Sequence, residues 1–196
     1  MIHETLSPTP PDSPPPRFIP ERNFPAYSYV PGRHPHPISD PVGHSFGETV
    51  GSVDSFEPSR WRESTTFCFG LDLFNYGYYW EAHEQWEAVW LAVGRTGTIA
   101  DMLKGLIKLA AAGVKLRERR ADGMARHARR AAELFNECLA TNDDAAVAAD
   151  FEFELVAIIR RAEEIARQST ELVTAVIEPD TAFLPLLLLP NLPRSQ

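Results

Sequence analysis

Thirteen of the chain's seventeen prolines fall within its first 58 residues, and that distribution limits what each part can fold into. Proline fixes φ and lacks a backbone N–H, so a segment this rich in it neither runs as regular helix nor pairs as a central strand. Residues 1–58 are therefore read as an arm of polyproline II, turns and irregular backbone. Its first part, residues 1–20, is of low complexity and has the composition of a disordered segment. Residues 21–58 carry Phe24, Tyr27, Tyr29 and Phe46 among turn formers and are expected to dock on a folded body. They also hold His34, His36 and His44, half of the six histidines.

Beyond the arm the apolar residues recur with helical period, which predicts an all-α fold, a bundle of about five helices over residues 59–178. Helix one begins at the Pro58-Ser59 start signal and ends at Asn75-Tyr76-Gly77, and helix two runs from Tyr79 to a stop at Gly94. Helix three, about Ile99 to Arg119, is apolar around most of its circumference and is expected to be the buried centre. Helix four follows Asp122-Gly123 to about Leu139, and a fifth helical region runs from the Asn142 cap to about Gln168. The nearest thing to a strand pattern is Glu171 to Ile177. Residues 179–196 form a tail in which Phe183 to Pro190 is too apolar for water, so it must cover the bundle or a second copy of the chain in a homodimer.

A net charge of -8 and a pI near 5.2 argue against nucleic acid or an anionic membrane as the main partner, since both are polyanions. The basic run from Lys115 to Arg130 reads as a solvated face. No stretch approaches the roughly 18 apolar residues of a membrane span, and the early prolines leave no room for an export signal. Cys68 and Cys138 sit in apolar helical patterns and read as reduced core residues, which suits the cytoplasm.

The chemistry concentrates in Tyr79-Trp80-Glu81-Ala82-His83-Glu84-Gln85-Trp86-Glu87-Ala88-Val89-Trp90. On a helix, Tyr79, Ala82, Trp86, Val89, Trp90 and Val93 form one apolar arc, with His83, Glu87 and Glu84 along its edge. A carboxylate beside large aromatics must be hydrogen-bonded, paired, protonated or bound to a metal. The motif extends to Leu73-Phe74-Asn75-Tyr76-Gly77 before it and Leu103-Lys104-Gly105-Leu106-Ile107-Lys108-Leu109-Ala110-Ala111-Ala112 after it. In these residues the chain resembles the domain-of-unknown-function 309 family over about Leu71 to Leu139. The resemblance implies a compact helical bundle and no established activity. Where the family commonly has glutamine, this chain has Lys104 and Lys108, and the arm and tail lie outside the shared region.

Three readings of the strip follow. His83 and Glu87, four residues apart, can offer an imidazole and a carboxylate to one divalent metal ion, with further donors from Glu84, His127, His34, His36 or His44. A zincin would need a second histidine at position 87 and a ferritin-like di-iron centre two Glu-x-x-His helices, so both are excluded. Alternatively, Lys104 and Lys108 face Glu84 and Glu87 in a buried seam that fixes helix register, making the protein structural. Third, His83, Glu84 and Glu87 act as acid, base and orienting groups in a small-molecule pocket, of hydrolase type if catalytic, with Trp80, Trp86, Trp90, Lys104 and Lys108 as ligand-binding residues.

Overall fold

A computed structural model of the chain describes residues 5–48, 53 and 55–191. Among them are seven α-helices, α1 (Thr65–Asn75), α2 (Tyr79–Ala92), α3 (Thr98–Arg117), α4 (Ala121–Glu137), α5 (Asn142–Ala149), α6 (Leu155–Arg167) and α7 (Ser169–Ala175), with 3-10 turns at Pro58–Glu63 and Pro179–Thr181. No strand occurs among the described residues. The all-α class agrees with the helical period of the sequence, and the two differences lie at breaks that periodicity does not mark. Helix one starts later, because Ser64 Oγ accepts the Phe67 N–H at 3.2 Å and separates the 3-10 turn from α1. The fifth region divides where Glu152 takes φ +59, since Phe151 and Phe153 turn into the core there. The strand-like alternation of 171–177 is mostly α7, which buries Leu172.

α3 is the centre, as its apolar circumference requires. It packs against α2 on one side and α4 on the other, while α1 lies on α2 and α6 on α4. Leu103, Leu106, Leu109 and Leu116 are fully enclosed. The α2 to α3 contact is close because Gly113 lies under the Tyr79 ring, where any Cβ would enter the ring. Between α1 and α2 the chain reverses through Gly77 at φ +83, the left-handed region that glycine adopts without steric cost.

The arm lies along the bundle. Residues 5–20, disordered by composition, run beside it with Leu6 buried and its N–H donating to Gln168 Oε1 at 3.0 Å. The Tyr76 hydroxyl donates to the Pro15 carbonyl. Composition averages over such isolated anchors, and the main one is on the bundle: Asp72 of α1 is fully buried and accepts the Phe18 N–H at 2.7 Å, the Ile19 N–H at 2.9 Å and Arg17 Nε at 3.3 Å. Farther along, Phe24 stacks on Tyr78 with centroids 5.0 Å apart. Phe46, expected as an anchor, is 53% exposed.

The apolar tail packs on its own bundle over its described residues. Asn75 holds it in both directions, donating from Nδ2 to the Leu188 carbonyl at 2.9 Å and accepting the Leu188 N–H at 2.8 Å. The Leu184 N–H donates to the Tyr79 hydroxyl, and Leu184 and Leu188 are buried. No helix among the described residues is long and apolar enough to cross a membrane.

Candidate functional site

The α2 helix carries polar groups on both edges of its apolar arc, and the fold treats the two edges differently. On the outer edge, one donor atom each from His83, Glu84 and Glu87 lies within 4.8 Å of the others. His83 Nδ1 is 3.3 Å from Glu84 Oε1 and 3.9 Å from Glu87 Oε2. All three side chains are partly exposed, Glu87 most. This is the constellation expected from the sequence, and it includes Glu84 because flexible carboxylates reach back to a neighbouring imidazole.

The expected lysine partners do not join it. Among the described residues no ion pair links Lys104 or Lys108 to Glu84 or Glu87, although α3 packs on α2. Lys108 acts instead on His127 of α4. Burial first, and then the charge of Lys108, hold the His127 imidazole down to about 4, with His83 a further contributor. His127 is thus neutral at pH 7 and close enough to His83 to feel its charge, but it is not one of the converging donors.

The tryptophans divide three ways. Trp86 is fully buried, donates from Nε1 to the Phe67 carbonyl at 3.3 Å and rests on Gly70, so it is core, not a ligand-binding residue. Its place follows from the arc, whose middle it occupies. Trp90 lies half-buried beneath Arg95, 5.5 Å from its ring centroid. Trp80 faces the arm, edge-on to Tyr29 and His36.

The arm histidines, considered as further metal donors, go elsewhere. His34 sits 3.3 Å from Asp180 and stacks on Tyr27, while His36 packs on Trp80. His44 reaches the inner edge of α2, where its Nε2 lies 3.1 Å from Glu81 Oε1. With the proton on Nε2 the ring donates to Glu81, and Nδ1 accepts from the Ser45 hydroxyl at 3.0 Å. Both side chains of this pair are 5% exposed. Glu81 Oε1 also accepts the Tyr29 N–H at 2.8 Å, yet buried Oε2 has no hydrogen-bond partner among the described residues.

Glu81 and Gln85 were missed as functional candidates, and a signal for them exists. They stand four apart on the second edge of the arc, and both are buried, so the i, i+4 polar pair marks another covered face. What covers it, the backbone of Tyr29 and the ring of His44, lies 52 and 37 positions away and cannot be read from local spacing. Glu81, Gln85 and His44 border a cavity of about 340 Å³ beneath the arm, lined also by Glu48, Glu84 and Trp80 among others. Glu84 belongs to both edges.

No curated protein and no solved structure matches the chain. A family model, that of a domain of unknown function (DUF309), matches residues 67–127. That span runs from α1 into α4 and contains His83, Glu84, Glu87 and Glu81, together with Asp72. It excludes the arm, with His44, and the tail. Over residues 67–127, therefore, the chain resembles the DUF309 family, and the arm groups that close on Glu81 lie outside this segment.

Proposed function

We propose that the protein binds a divalent transition-metal ion at the outer edge of α2, through the imidazole of His83 and the carboxylates of Glu84 and Glu87. The observation that carries this reading is the convergence of the three donor atoms within 4.8 Å without a lysine paired to either carboxylate. A mixed nitrogen and oxygen set suits zinc and the neighbouring late first-row ions. Three protein donors also leave coordination positions for water or substrate, the arrangement of catalytic centres, so metal-assisted hydrolysis is the reaction class the site would support. A cytoplasmic location is part of the proposal, supported by two free buried cysteines whose thiols burial pushes up to about 12.

The test is elemental analysis of untagged protein after reconstitution with zinc, iron and nickel, repeated on His83→Ala. The expected result is one ion per chain in the wild type and loss of it in the variant. Metal-free wild type after reconstitution refutes the proposal.

A further inference from the structure

The basic run from Lys115 to Arg130, expected from the sequence to be a solvated face, is concave where the chain turns from α3 into α4. Two open grooves of about 490 and 530 Å³ meet there, and Glu118, Arg119 and Arg120 line both. Arg33 and Arg117 complete the basic walls of the first, Lys115 and Arg126 those of the second. The carboxylates set against them are Glu118, Glu178 and Asp122.

How far these charges are answered decides what the grooves can do. Arg33 is paired with Asp180 at 3.3 Å and Lys115 with Glu118 at 2.6 Å. The other four cations form no ion pair among the described residues. Arg117 is 3% exposed, and its Nε donates to the Ala182 carbonyl at 3.0 Å. Arg119 donates from Nη2 to the Val176 and Ile177 carbonyls, each at 2.7 Å. A carbonyl fixes a guanidinium without cancelling its charge. Arg120 and Arg126 are exposed. Two positive charges are thus held in place and two more are free to turn toward a ligand, with Glu178 and Asp122 as the carboxylates that remain. In a chain of net charge -8 this is a local excess of the opposite sign. The low-dielectric protein around Arg117 strengthens its field in the groove that it lines.

We propose that this double groove binds a small polyphosphate anion, with a phosphate group in each half and Arg119 and Arg120 between them. Arginine suits this ligand because its planar fork donates parallel hydrogen bonds to phosphate oxygens. Arg120 and Arg126 close on the anion, whereas Arg117 need not touch it and acts through its field. A nucleic-acid strand carries the same groups but runs on over the acidic remainder of the chain, which repels it. A short anion ends within the grooves.

Titration calorimetry on the full, untagged chain after chelator treatment tests this without any ion at His83. Sodium tripolyphosphate is the probe, with orthophosphate and a single-stranded oligothymidylate as the short and long comparisons. Tripolyphosphate should bind saturably with one site per chain, orthophosphate about tenfold more weakly or worse, and added salt should weaken both. Arg120→Glu combined with Arg126→Glu should lower the tripolyphosphate affinity about tenfold or more. Arg160→Glu combined with Arg167→Glu changes the net charge equally on exposed residues of α6 outside both grooves, and should leave the affinity within about twofold. Equal losses in the two double variants would make the binding a property of net charge and overturn the proposal. So would orthophosphate binding as tightly as tripolyphosphate, tighter binding of the oligothymidylate, or no saturable binding of tripolyphosphate at millimolar concentration.

Discussion

Asp72 and Glu81 are both carboxylates enclosed by the fold, one on α1 and one on α2, and both hold the proline-rich arm. They are completed differently. Asp72 uses Oδ1 for the Phe18 N–H and Oδ2 for the Ile19 N–H and Arg17, so its charge and both oxygens are answered within the chain. Glu81 concentrates its two partners on Oε1 and, among the described residues, leaves Oε2 without one. Such a group costs about 1–3 kcal/mol relative to a satisfied one. Burial of a carboxylate therefore does not by itself say how fully its oxygens are answered.

The widest separation between the two should appear in stability. Asp72→Ala strands the Phe18 and Ile19 N–H groups and removes the Arg17 ion pair, and should cost about 3–5 kcal/mol, read as a lower urea midpoint and early proteolysis of the arm. Glu81→Gln keeps an acceptor for Tyr29 and removes a charge that is only half answered, so its cost should be about 1 kcal/mol or less. Equal losses in the two variants would break the comparison and make Glu81 a second anchor.

His127 sharpens the same point with the opposite charge. Its ordinary value of 6.5 falls to about 4 because burial and Lys108 disfavour the imidazolium. The folded protein therefore resists a proton that the unfolded chain accepts. Its contribution is fully present above pH 6.5 and is lost as pH falls through the window toward about 4. In His127→Gln the stability profile should be flatter across that window, measured as urea midpoints at successive pH values. A profile parallel to the wild type would show that His127 binds its proton equally in the folded and unfolded chains.

How much of this was readable in advance depends on the range of the interaction. The all-α class, the central position of α3 and the grouping of His83 with Glu87 follow from spacing within one helix, where neighbours three and four apart must share a face. The Trp86 position also follows from the arc, once burial is given more weight than the chemistry of indole. The break at Ser64 rests on one side-chain cap, Ser64 Oγ to the Phe67 N–H, which the apolar period from Pro58-Ser59 does not mark. The arm was different. Which carboxylate the Phe18 and Ile19 backbone would meet, and that His44 rather than His36 would turn to Glu81, depend on partners 37 to 54 positions apart. Local pattern does not encode such pairings. The expected pairing of Lys104 and Lys108 with Glu84 and Glu87 is absent among the described residues for a related reason: two helices can pack without their long polar side chains meeting.

The smallest effect is expected at His83, and it separates the outer edge of α2 from the inner one. His83 is partly exposed and its contacts with Glu84 and Glu87 are long, 3.3 and 3.9 Å. Surface pairs of this kind contribute about 0–1 kcal/mol. In metal-free protein, His83→Ala should shift the urea midpoint by an amount equivalent to about 0.5 kcal/mol or less. Loading with zinc should then raise the midpoint of the wild type and leave the variant unmoved, because only a group that binds the folded state stabilises it by mass action. A large loss in the metal-free variant would mean that the outer edge, like Asp72, is built to hold the fold, whereas a small loss with a zinc-dependent difference assigns it to binding.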